Sequence, residues 1–380
     1  MNILINTSNL KAGGGLQVAD SICHHLHKFS KHKFVIIFST SLSYLKDEAL
    51  RKPNIIKTYI YEIKNNFRTL FLGRDLFLDT IVEKHKIDGV LTIFGPSRWE
   101  PRCPHLCGFA TGQLIFKDSP FYQIIKRKTA IRWFFKLNLR KYLYQRSTKY
   151  LYSENPYVTK QLTTIFKDKE TFTITNYYNQ VFDEPARWES VDLLPFNGVR
   201  ILSIATPYPH KNLKIAIPIA SYLKKHYPQF NFRFVFSFDN YDYPKIPNDL
   251  KNNFEFVGII TINKCPYLYQ HSDICFQPSL MECFTATYPE AMKMKIPIVT
   301  TDLAFAHSLC GDAACYYESL NAEAAAEAIY KVATNKDYAY QLIKAGQEQL
   351  KTFDNHDQRA EKLLSTLVNI ICNENKQYHI

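Results

Sequence analysis

Short apolar runs alternate with helical stretches along the whole chain. The apolar runs predict strands in the first half at 3–6, 34–39, 55–59, 89–93, 105–109, 150–152 and 171–174, and in the second half at 199–204, 232–236, 254–257, 274–276 and 296–300. Alternation of short strands with helices is typical of parallel sheets built from βα units. The pattern therefore predicts an α/β protein.

Residues 183–198 lie between the two sets of strands and have no clear period, which predicts a linker. A chain of 380 residues is too long for one ordinary core and fits two domains of about 150–200 residues. We therefore predict a Rossmann-like N-terminal domain over 1–190 and a second one over 191–355. Apolar residues at three- and four-residue steps predict helices after residue 322, the last of them within 356–380.

The segment 279–302 holds two carboxylates in a distinctive setting. Glu282 follows an apolar run in a polar loop, and Glu290 begins a predicted helix with Pro289 in its first turn. A strand at 296–300 follows. This order places an acid and a helix N-terminus at the carboxyl end of a parallel sheet, where open α/β sheets bind nucleotides and phosphates.

The same segment resembles the Glu-x7-Glu signature of the group 1 (family 4) retaining glycosyltransferases, bacterial enzymes of surface-polysaccharide type among them. Cys283 and Thr285 stand where that pattern has glycines, which allow positive φ, and Thr285 offers a hydroxyl instead. The residues that match are Pro278, Ser279, Glu282, Phe284, Glu290, Ala291 and Met292. The resemblance implies the GT-B fold: two Rossmann-like domains facing across a cleft, an acceptor-side first domain and a donor-binding second domain, with the C-terminal helix crossing back to the first domain.

The resemblance also implies roles for single residues. Glu282 and Lys211 are the expected catalytic residues, with Glu282 on the hydroxyls of the donor sugar and Lys211 on its diphosphate. Thr206 stands where the family has an arginine, and His210 is a candidate to replace part of the lost charge. The expected donor-binding residues are Gly13, Gly14, Gly15, His210, Gly258, Ser279, Phe284, Thr285 and Glu290, the last on the ribose hydroxyls.

Two features of the first half bear on the same site. Gly13 to Gly15 lie between the first strand and a helix, where backbone N–H groups can approach an anion, although an ordinary glycine turn gives the same pattern. Thr111 and Gln113 occupy the region where many family members carry a His-Asp pair, so we expect them on the acceptor side. His105 lies within an apolar run and is expected to be a buried core histidine.

Basic residues are concentrated in the first half. The net charge of +12 divides into +13 for 1–190 (29 basic and 16 acidic residues) and −1 for the remainder (18 and 19). Residues 119–153 contain nine basic residues and no acidic one, with aromatic residues between them. A basic, aromatic amphipathic helix suits an anionic membrane surface. A merely solvated domain helix is the alternative, and nucleic-acid binding is not expected because no recognised module accompanies the patch.

These observations lead to one functional expectation. The protein is expected to be a retaining, hexosyltransferase-type enzyme that moves a sugar from a nucleoside diphosphate sugar to a glycan or lipid-linked acceptor in lipopolysaccharide or capsule biosynthesis. No cofactor is expected, and the absence of an Asp-x-Asp motif predicts a metal-independent reaction. The expected location is cytoplasmic, at the inner face of the cell membrane. A non-catalytic sugar-nucleotide-binding partner of another transferase and a nucleotide-sugar epimerase are the alternatives.

Overall fold

The computed structural model describes residues 1–11 and 13–377 and divides into two compact units. The first unit consists of Met1–Lys117, Arg127–Asn176 and the chain from Asp354 onward. The second consists of Asp118–Lys126 and Tyr177–Phe353. Each unit has its own parallel sheet and its own buried core.

The strands within the described ranges are β1 Asn2–Asn6, β2 Lys33–Phe38, β3 Ile55–Ile60, β4 Gly89–Thr92, β5 His105–Gly108, β6 Tyr150–Ser153, β7 Glu170–Thr173, β8 Val199–Ser203, β9 Phe232–Phe236, β10 Phe254–Phe256, β11 Ile274–Gln277, β12 Ile298–Thr301 and β13 Ala314–Tyr317. The helices are α1 Gly14–His25, α2 Lys46–Leu50, α3 Leu76–Lys84, α4 Gly112–Ile115, α5 Phe121–Ile124, α6 Arg127–Ser147, α7 Pro156–Ile165, α8 Ala216–His226, α9 Cys265–Gln270, α10 Thr287–Lys293, α11 Ala304–Cys310, α12 Ala322–Thr334, α13 Lys336–Leu350 and α14 His356–Gln377. None of the helices in the described chain is long and apolar enough to cross a membrane.

The first sheet, as far as the chain is described, has the order β3-β2-β1-β4-β5-β6-β7, and every pairing is parallel. Strands β2 and β3 are therefore added on one side of β1, and β4 to β7 are added on its other side. Because the connections leave in opposite directions at β1 and β4, a crevice is expected beyond the carboxyl ends of these two strands.

Both faces of the first sheet are covered. On one face, α1 and α14 pack against Ile3 and Ile5, and Leu367 and Ile371 of α14 reach the sheet at Gly89. On the other face, Leu4 packs with α3 residues and the fully buried Trp99. Near-continuous apolar strands are the pattern that burial on both faces requires. The predicted return of the C-terminal helix to the first domain is confirmed for its described residues.

The second sheet, in the described residues, has the order β10-β9-β8-β11-β12-β13, again parallel throughout. Phenylalanines at alternate positions of β9 form its aromatic centre, with Phe234 5.5 Å from Phe254 and 5.9 Å from Phe276 between ring centroids. Strands β9 and β10 are added on one side of β8, and β11 to β13 are added on its other side. The strand order thus reverses between β8 and β11, which is a topological switch point, and a crevice is expected beyond the carboxyl ends of these two strands.

The predicted strands are confirmed, and the two sheets confirm the prediction of two Rossmann-like domains. Strand β13, at the sheet edge over 314–317, is not among the predicted strands. It begins with Ala314 and Cys315 and lacks the β-branched residues that favour strands. Its place is decided by pairing with β12, which no local pattern reveals.

The units divide the chain at Asn176, whereas the predicted boundary lies at residue 190. Residues 177–190 belong to the second unit because Asp183 pairs there with Lys293 of α10, and the backbone N–H of Glu189 donates to the carbonyl of Asn263 at 3.0 Å. The basic segment predicted over 119–153 is also divided. Residues 118–126 belong to the second unit, α6 carries most of the charge, and β6 is a largely buried strand of the first sheet.

The close approach of β4 and β5 generates a stability prediction at Gly108. A Cβ at this position would lie 1.9 Å from the carbonyl oxygen of Ile93 and 2.7 Å from the ring of Tyr152. A backbone oxygen cannot rotate away, so Gly108→Ala should lower the free energy of unfolding by about 1–3 kcal/mol or more. Urea denaturation of the variant measures the effect.

Gly14→Ala is the matched control, because no heavy atom lies within 4 Å of a Cβ at that position. We expect the stability of this variant to stay within about 0.5 kcal/mol of the parent. Equal stabilities for the two variants would contradict the close approach of the strands.

Candidate functional site

The site in the second unit is built from the loops that follow the two switch-point strands. After β8 the chain forms a 3₁₀ turn at Pro209–Lys211, and Asn212 then takes the left-handed conformation (φ 50°). After β11 it forms the loop that contains Glu282 and then enters α10. The backbone N–H of Leu280 donates to the carbonyl of His210 at 2.8 Å and joins the two loops. Residues 70 positions apart are thus held side by side.

Lys211 and Glu282 form an ion pair at the centre of this site. The ammonium Nζ lies 2.5 Å from carboxylate Oε1, and the side chains are only 14% and 9% exposed. Oε1 is buried and makes no hydrogen bond of good geometry within the described chain, so its compensation is mainly Coulombic. Burying two charges carries a desolvation cost that a close partner only partly offsets. The pair is therefore suited to exchange partners when an anionic ligand enters.

Glu290 lies in the first turn of α10, which begins at Thr287. The carboxylate is buried and accepts a hydrogen bond from the hydroxyl of Tyr269 at 2.9 Å. Burial raises its pKa to about 7, against the opposing effects of that hydrogen bond and of the Lys211 cation. Lys211 thus acts on both carboxylates. Tyr269 was missed, because nothing in the short apolar helix α9 distinguishes it from a core tyrosine.

His210 is close to the ion pair but does not replace the missing arginine. Burial lowers its pKa, and although Glu282 raises it, the pKa stays below its ordinary value. At neutral pH the ring is therefore mostly uncharged. The imidazole stacks on Tyr208 and meets the edge of Phe121. Thr206, at the arginine position, is exposed. His210 supplies a hydrogen-bonding ring rather than a second fixed positive charge.

The carboxylate loop is held by its own polar contacts. The Ser279 hydroxyl accepts from Gln277 Nε2 at 3.1 Å, and its carbonyl accepts from the Thr301 hydroxyl at 2.7 Å. The Thr285 hydroxyl donates to that of Thr287 at 3.2 Å. Phe284 is half-buried, with its ring edge against Phe353. Ser279 and Thr285 thus fix the loop's shape, while Glu282 is the loop residue paired with Lys211.

The two positions where the family pattern has glycine need no glycine here. Among the described residues, positive φ outside glycine occurs at Lys86, Asn212, Lys295 and Leu320. Cys283 and Thr285 therefore both adopt backbone conformations that any residue accepts.

The segment 118–126 packs against the carboxylate loop within the second unit. The Ser119 hydroxyl donates to the carbonyl of Leu280 at 2.6 Å, and Phe121 is buried beside His210. The predicted first domain includes this stretch, since its position before α6 gives no signal of these contacts. Gly258 follows β10 with φ +73°, a conformation that favours glycine, at the same carboxyl edge of the sheet.

The remaining predicted site residues lie in the first unit. Gly13 precedes α1 with φ +80°, and Gly14 and Gly15 lie in its first turn, whereas the sequence predicted all three before the helix. Thr111 is 2% exposed, with its hydroxyl 3.4 Å from that of Tyr144, and Gln113 is partly buried in α4.

His105 is the buried core histidine that the sequence predicts. Its ring nitrogens lie 2.8 Å from the Ser147 carbonyl and from the Thr92 hydroxyl. Burial lowers its pKa to about 4, so the imidazole is neutral at physiological pH.

The second half of the chain matches a known family in sequence. Residues 191–349 match the family model described as glycosyl transferases group 1. This range includes the Lys211 loop, Glu282 and Glu290. No curated protein matches the chain in sequence.

Solved structures match over almost the whole chain at low identity. A glycosyltransferase from Rickettsia africae is 18% identical, with a TM-score of 0.67 over 97% of this chain and 98% of the other. Sucrose-phosphate synthase from Thermosynechococcus elongatus is 14% identical, with a TM-score of 0.70 over 98% and 99%. Anabaena Alr3699/HepE in complex with UDP is 13% identical, with a TM-score of 0.68 over 97% and 100%, and its complexes with UDP and glucose and with UDP-glucose also match. The chain thus has the GT-B fold, and its residues 191–349 are similar to the group 1 glycosyl transferases.

Proposed function

We propose that this protein is a glycosyltransferase that moves a sugar from a nucleoside diphosphate sugar to an acceptor. The observation that carries the proposal is the buried pair of Lys211 and Glu282, 2.5 Å apart at the switch point of the second sheet. With Glu290 coupled to the same lysine, the site offers one cation for a diphosphate and two carboxylates for hydroxyl groups. This is the set of contacts that a nucleotide sugar needs. The UDP and UDP-glucose complexes of the Anabaena structure make uridine nucleotides the first donors to test.

The proposed chemistry is mainly electrostatic. Lys211 leaves Glu282 and neutralises the diphosphate, while Glu282 accepts hydrogen bonds from donor-sugar hydroxyls near the reacting carbon. The bond from that carbon to the phosphate oxygen breaks with its electrons on the diphosphate. The acceptor oxygen bonds to the same face of the sugar and passes its proton to the departing phosphate. Charge placed in advance where it develops lowers the barrier without a covalent enzyme intermediate. We propose retention of the anomeric configuration and no requirement for a metal ion.

The donor would span further residues of the predicted set. Glu290 would accept from the ribose hydroxyls, and the positive-φ backbone at Gly258 would approach the base. The Gly13–Gly15 amides at the start of α1 stay predicted anion-binding groups. On the acceptor side, the buried Thr111 would support the local structure rather than contact the acceptor, and Gln113 is the more accessible of the two.

We further propose that α6 attaches the protein to an anionic membrane surface. Ile131, Phe134 and Phe135 are 60%, 63% and 69% exposed, and basic residues lie between and beside them. Tyr142 and Arg146 join α6 to the turn at 68–72, which adds the exposed Phe71 and Leu72. Apolar side chains beside cations complement the acyl boundary and the headgroups of an anionic bilayer. Such a surface suits a lipid-linked acceptor of polysaccharide assembly at the inner face of the cell membrane.

The ion pair predicts separate effects for its two members. Glu282→Gln should lower turnover with a nucleotide sugar by about 100-fold or more, because the amide cannot replace the carboxylate charge near the reacting carbon. Lys211→Ala should weaken binding of the nucleoside diphosphate by about tenfold or more, through loss of a charge-assisted hydrogen bond. Radiolabelled transfer measures turnover, NMR of the product gives its anomeric configuration, and calorimetry measures the affinity.

Lys214→Ala, an exposed lysine in the same region, is the control and should change neither quantity. An isomerised donor without transfer would favour the epimerase alternative. Nucleotide binding without release of nucleoside diphosphate would favour a non-catalytic partner, and full activity in Glu282→Gln would contradict the proposed mechanism.

Glu290 predicts a pH dependence of nucleotide binding. Its pKa in the free protein is raised to about 7, so the stability linked to this group is present below its ordinary pKa of 4.5 and is lost as the pH rises through about 7. A ribose that binds the ionised carboxylate should therefore bind about tenfold more weakly at pH 6 than at pH 8. Calorimetric titration with UDP across this range measures the profile.

The terminal phosphate of UDP titrates near pH 6 itself, so the comparison is between the parent and Glu290→Gln. We expect the part of the profile centred near pH 7 to disappear in the variant. Identical profiles in the two proteins would exclude Glu290 from the nucleotide site.

The α6 surface predicts binding to anionic vesicles. Phe134→Ser with Phe135→Ser should reduce sedimentation with phosphatidylglycerol vesicles by about tenfold or more, since each phenylalanine loses about 1.5–3 kcal/mol of burial. Tyr241→Ser with Tyr340→Ser removes two exposed aromatic residues of the second unit and should leave binding unchanged. Equal sedimentation of both double variants, or indifference of the parent protein to anionic vesicles at moderate salt, would overturn the membrane proposal.

A further inference from the structure

The first unit contains a cavity of about 380 Å³ beyond the carboxyl ends of β1 and β4. Asn9 enters its wall from the chain after β1, and Gly95 and Arg98 enter from the chain after β4. Lys136 and Arg140 of α6 close another side. The cavity thus lies at the switch point of the first sheet, which is the position where open α/β sheets bind ligands. Its volume is within the range of small-molecule sites.

The charge in this cavity has one sign. Its lining includes Arg98, Lys136 and Arg140 and no acidic residue. Within the described chain, none of the three cationic groups forms an ion pair with a carboxylate. Arg140 lowers the pKa of Lys136, and burial together with Arg140 lowers that of Arg98, so the cations repel one another across the space. An anion between them would relieve this repulsion.

The cations are held in place by a fourth basic residue outside the cavity. Arg146 donates from Nη1 to the carbonyl of Leu70 and from Nη2 to that of Arg98, both at 2.6 Å. It therefore joins α6 to two other walls of the cavity. Lys136, Leu139, Arg140 and Leu143 recur at three- and four-residue steps, so one face of α6 lines the space. The cationic groups are gathered by the fold, since residues 98 and 136–140 are distant in sequence.

Asn9 adds an acceptor to this cationic lining. Its Nδ2 donates to the carbonyl of Phe94, and its Oδ1 is buried without a hydrogen-bond partner in the described residues. A buried carbonyl oxygen without a partner carries a desolvation cost. A ligand hydroxyl is the donor that would satisfy it. The lining therefore matches a ligand that carries an oxyanion and a neighbouring hydroxyl group.

We propose that this cavity binds the phosphate or diphosphate group of a phosphorylated sugar acceptor, held by Arg98, Lys136 and Arg140 with a hydroxyl on Asn9 Oδ1. The acceptor role rests on the proposed glycosyl transfer, whereas the oxyanion site itself does not. Two sources share this chemistry: a soluble sugar phosphate, and a sugar attached through diphosphate to a lipid. Guanidinium groups suit either, because they bind phosphate oxygens in pairs.

The test is binding of inorganic pyrophosphate to the full chain in a Lys211→Ala background, which weakens the diphosphate site of the second unit. Replacing Arg98 and Arg140 with Gln should weaken pyrophosphate binding by about tenfold or more, as expected for lost charge-assisted hydrogen bonds. The matched control replaces Arg102 and Lys141 with Gln, which removes the same net charge. Both residues are exposed and lie outside the cavity lining. The affinity of this control should stay within about twofold of the background when salt is constant.

The double variant Arg98→Lys with Arg140→Lys separates loss of charge from a folding defect. It keeps both positive charges, so it should bind pyrophosphate more tightly than the Gln pair. Equal weakening in the Gln pair and the control pair would overturn the site, as would no binding by the Lys211→Ala background. These outcomes do not depend on transferase activity and remain separate from failure of the proposed function.

Competition assigns the source of the anion. Displacement of pyrophosphate by a hexose phosphate in solution supports a soluble acceptor, and displacement by a polyprenyl diphosphate sugar in detergent supports a lipid-linked one. If pyrophosphate binds and neither compound displaces it, the cavity is an anion site without an acceptor role, and the proposal fails.

Discussion

The ion pair between Lys211 and Glu282 is the interaction on which the functional interpretation depends. It exists because β8 and β11 are neighbours in the second sheet and because the Leu280 N–H donates to the His210 carbonyl, which joins the loops that follow them. Two opposite charges held mostly out of water are costly without each other, and either can be released to a ligand of opposite sign. In the proposed mechanism, an anionic diphosphate takes the lysine and leaves the carboxylate for hydroxyl groups. The same lysine acts on Glu290, so the two acids form one electrostatic unit.

Both sheets reverse their direction of building, and each has a switch point, between β1 and β4 in the first and between β8 and β11 in the second. The charges at the two points differ. Acids and a lysine meet in the second unit, whereas the first-unit cavity is lined by Arg98, Lys136 and Arg140 without a carboxylate. The net charge is +13 for residues 1–190 and −1 for residues 191–380, and the two crevices differ in charge in the same direction. One topological rule provides both crevices, and the side chains that line them decide which ligand each suits.

The departures from the family pattern have different physical consequences. Cys283 and Thr285 take ordinary backbone conformations, and Thr285 adds a hydrogen bond to Thr287, so this loop replaces glycine flexibility with side-chain contacts. The lost arginine is a different case. Thr206 is exposed, and burial keeps the neighbouring His210 ring mostly neutral, so Lys211 carries the positive charge of this loop. Charge stabilisation on this side of the site is therefore concentrated in one ammonium group.

Local sequence determined the strands, the long helices and the pairing of Glu282 with Glu290 in one strand–loop–helix unit, because hydrophobic period and turn chemistry act over a few residues. The apolar run around His105 also indicated a core residue, whereas Lys211 and the return of the last helix were predicted from the resemblance to the family. The tertiary structure alone decided which distant groups meet. The Tyr269 hydroxyl binds Glu290, and Ser119 binds the carboxylate loop. Strand β13 pairs at the sheet edge, and Arg98, Lys136 and Arg140 line one cavity. The tertiary structure also decided which residues are buried, and so how far the pKa values of Glu290 and His210 move. Desolvation depends on every element packed around a group, and no segment of the chain contains that information by itself.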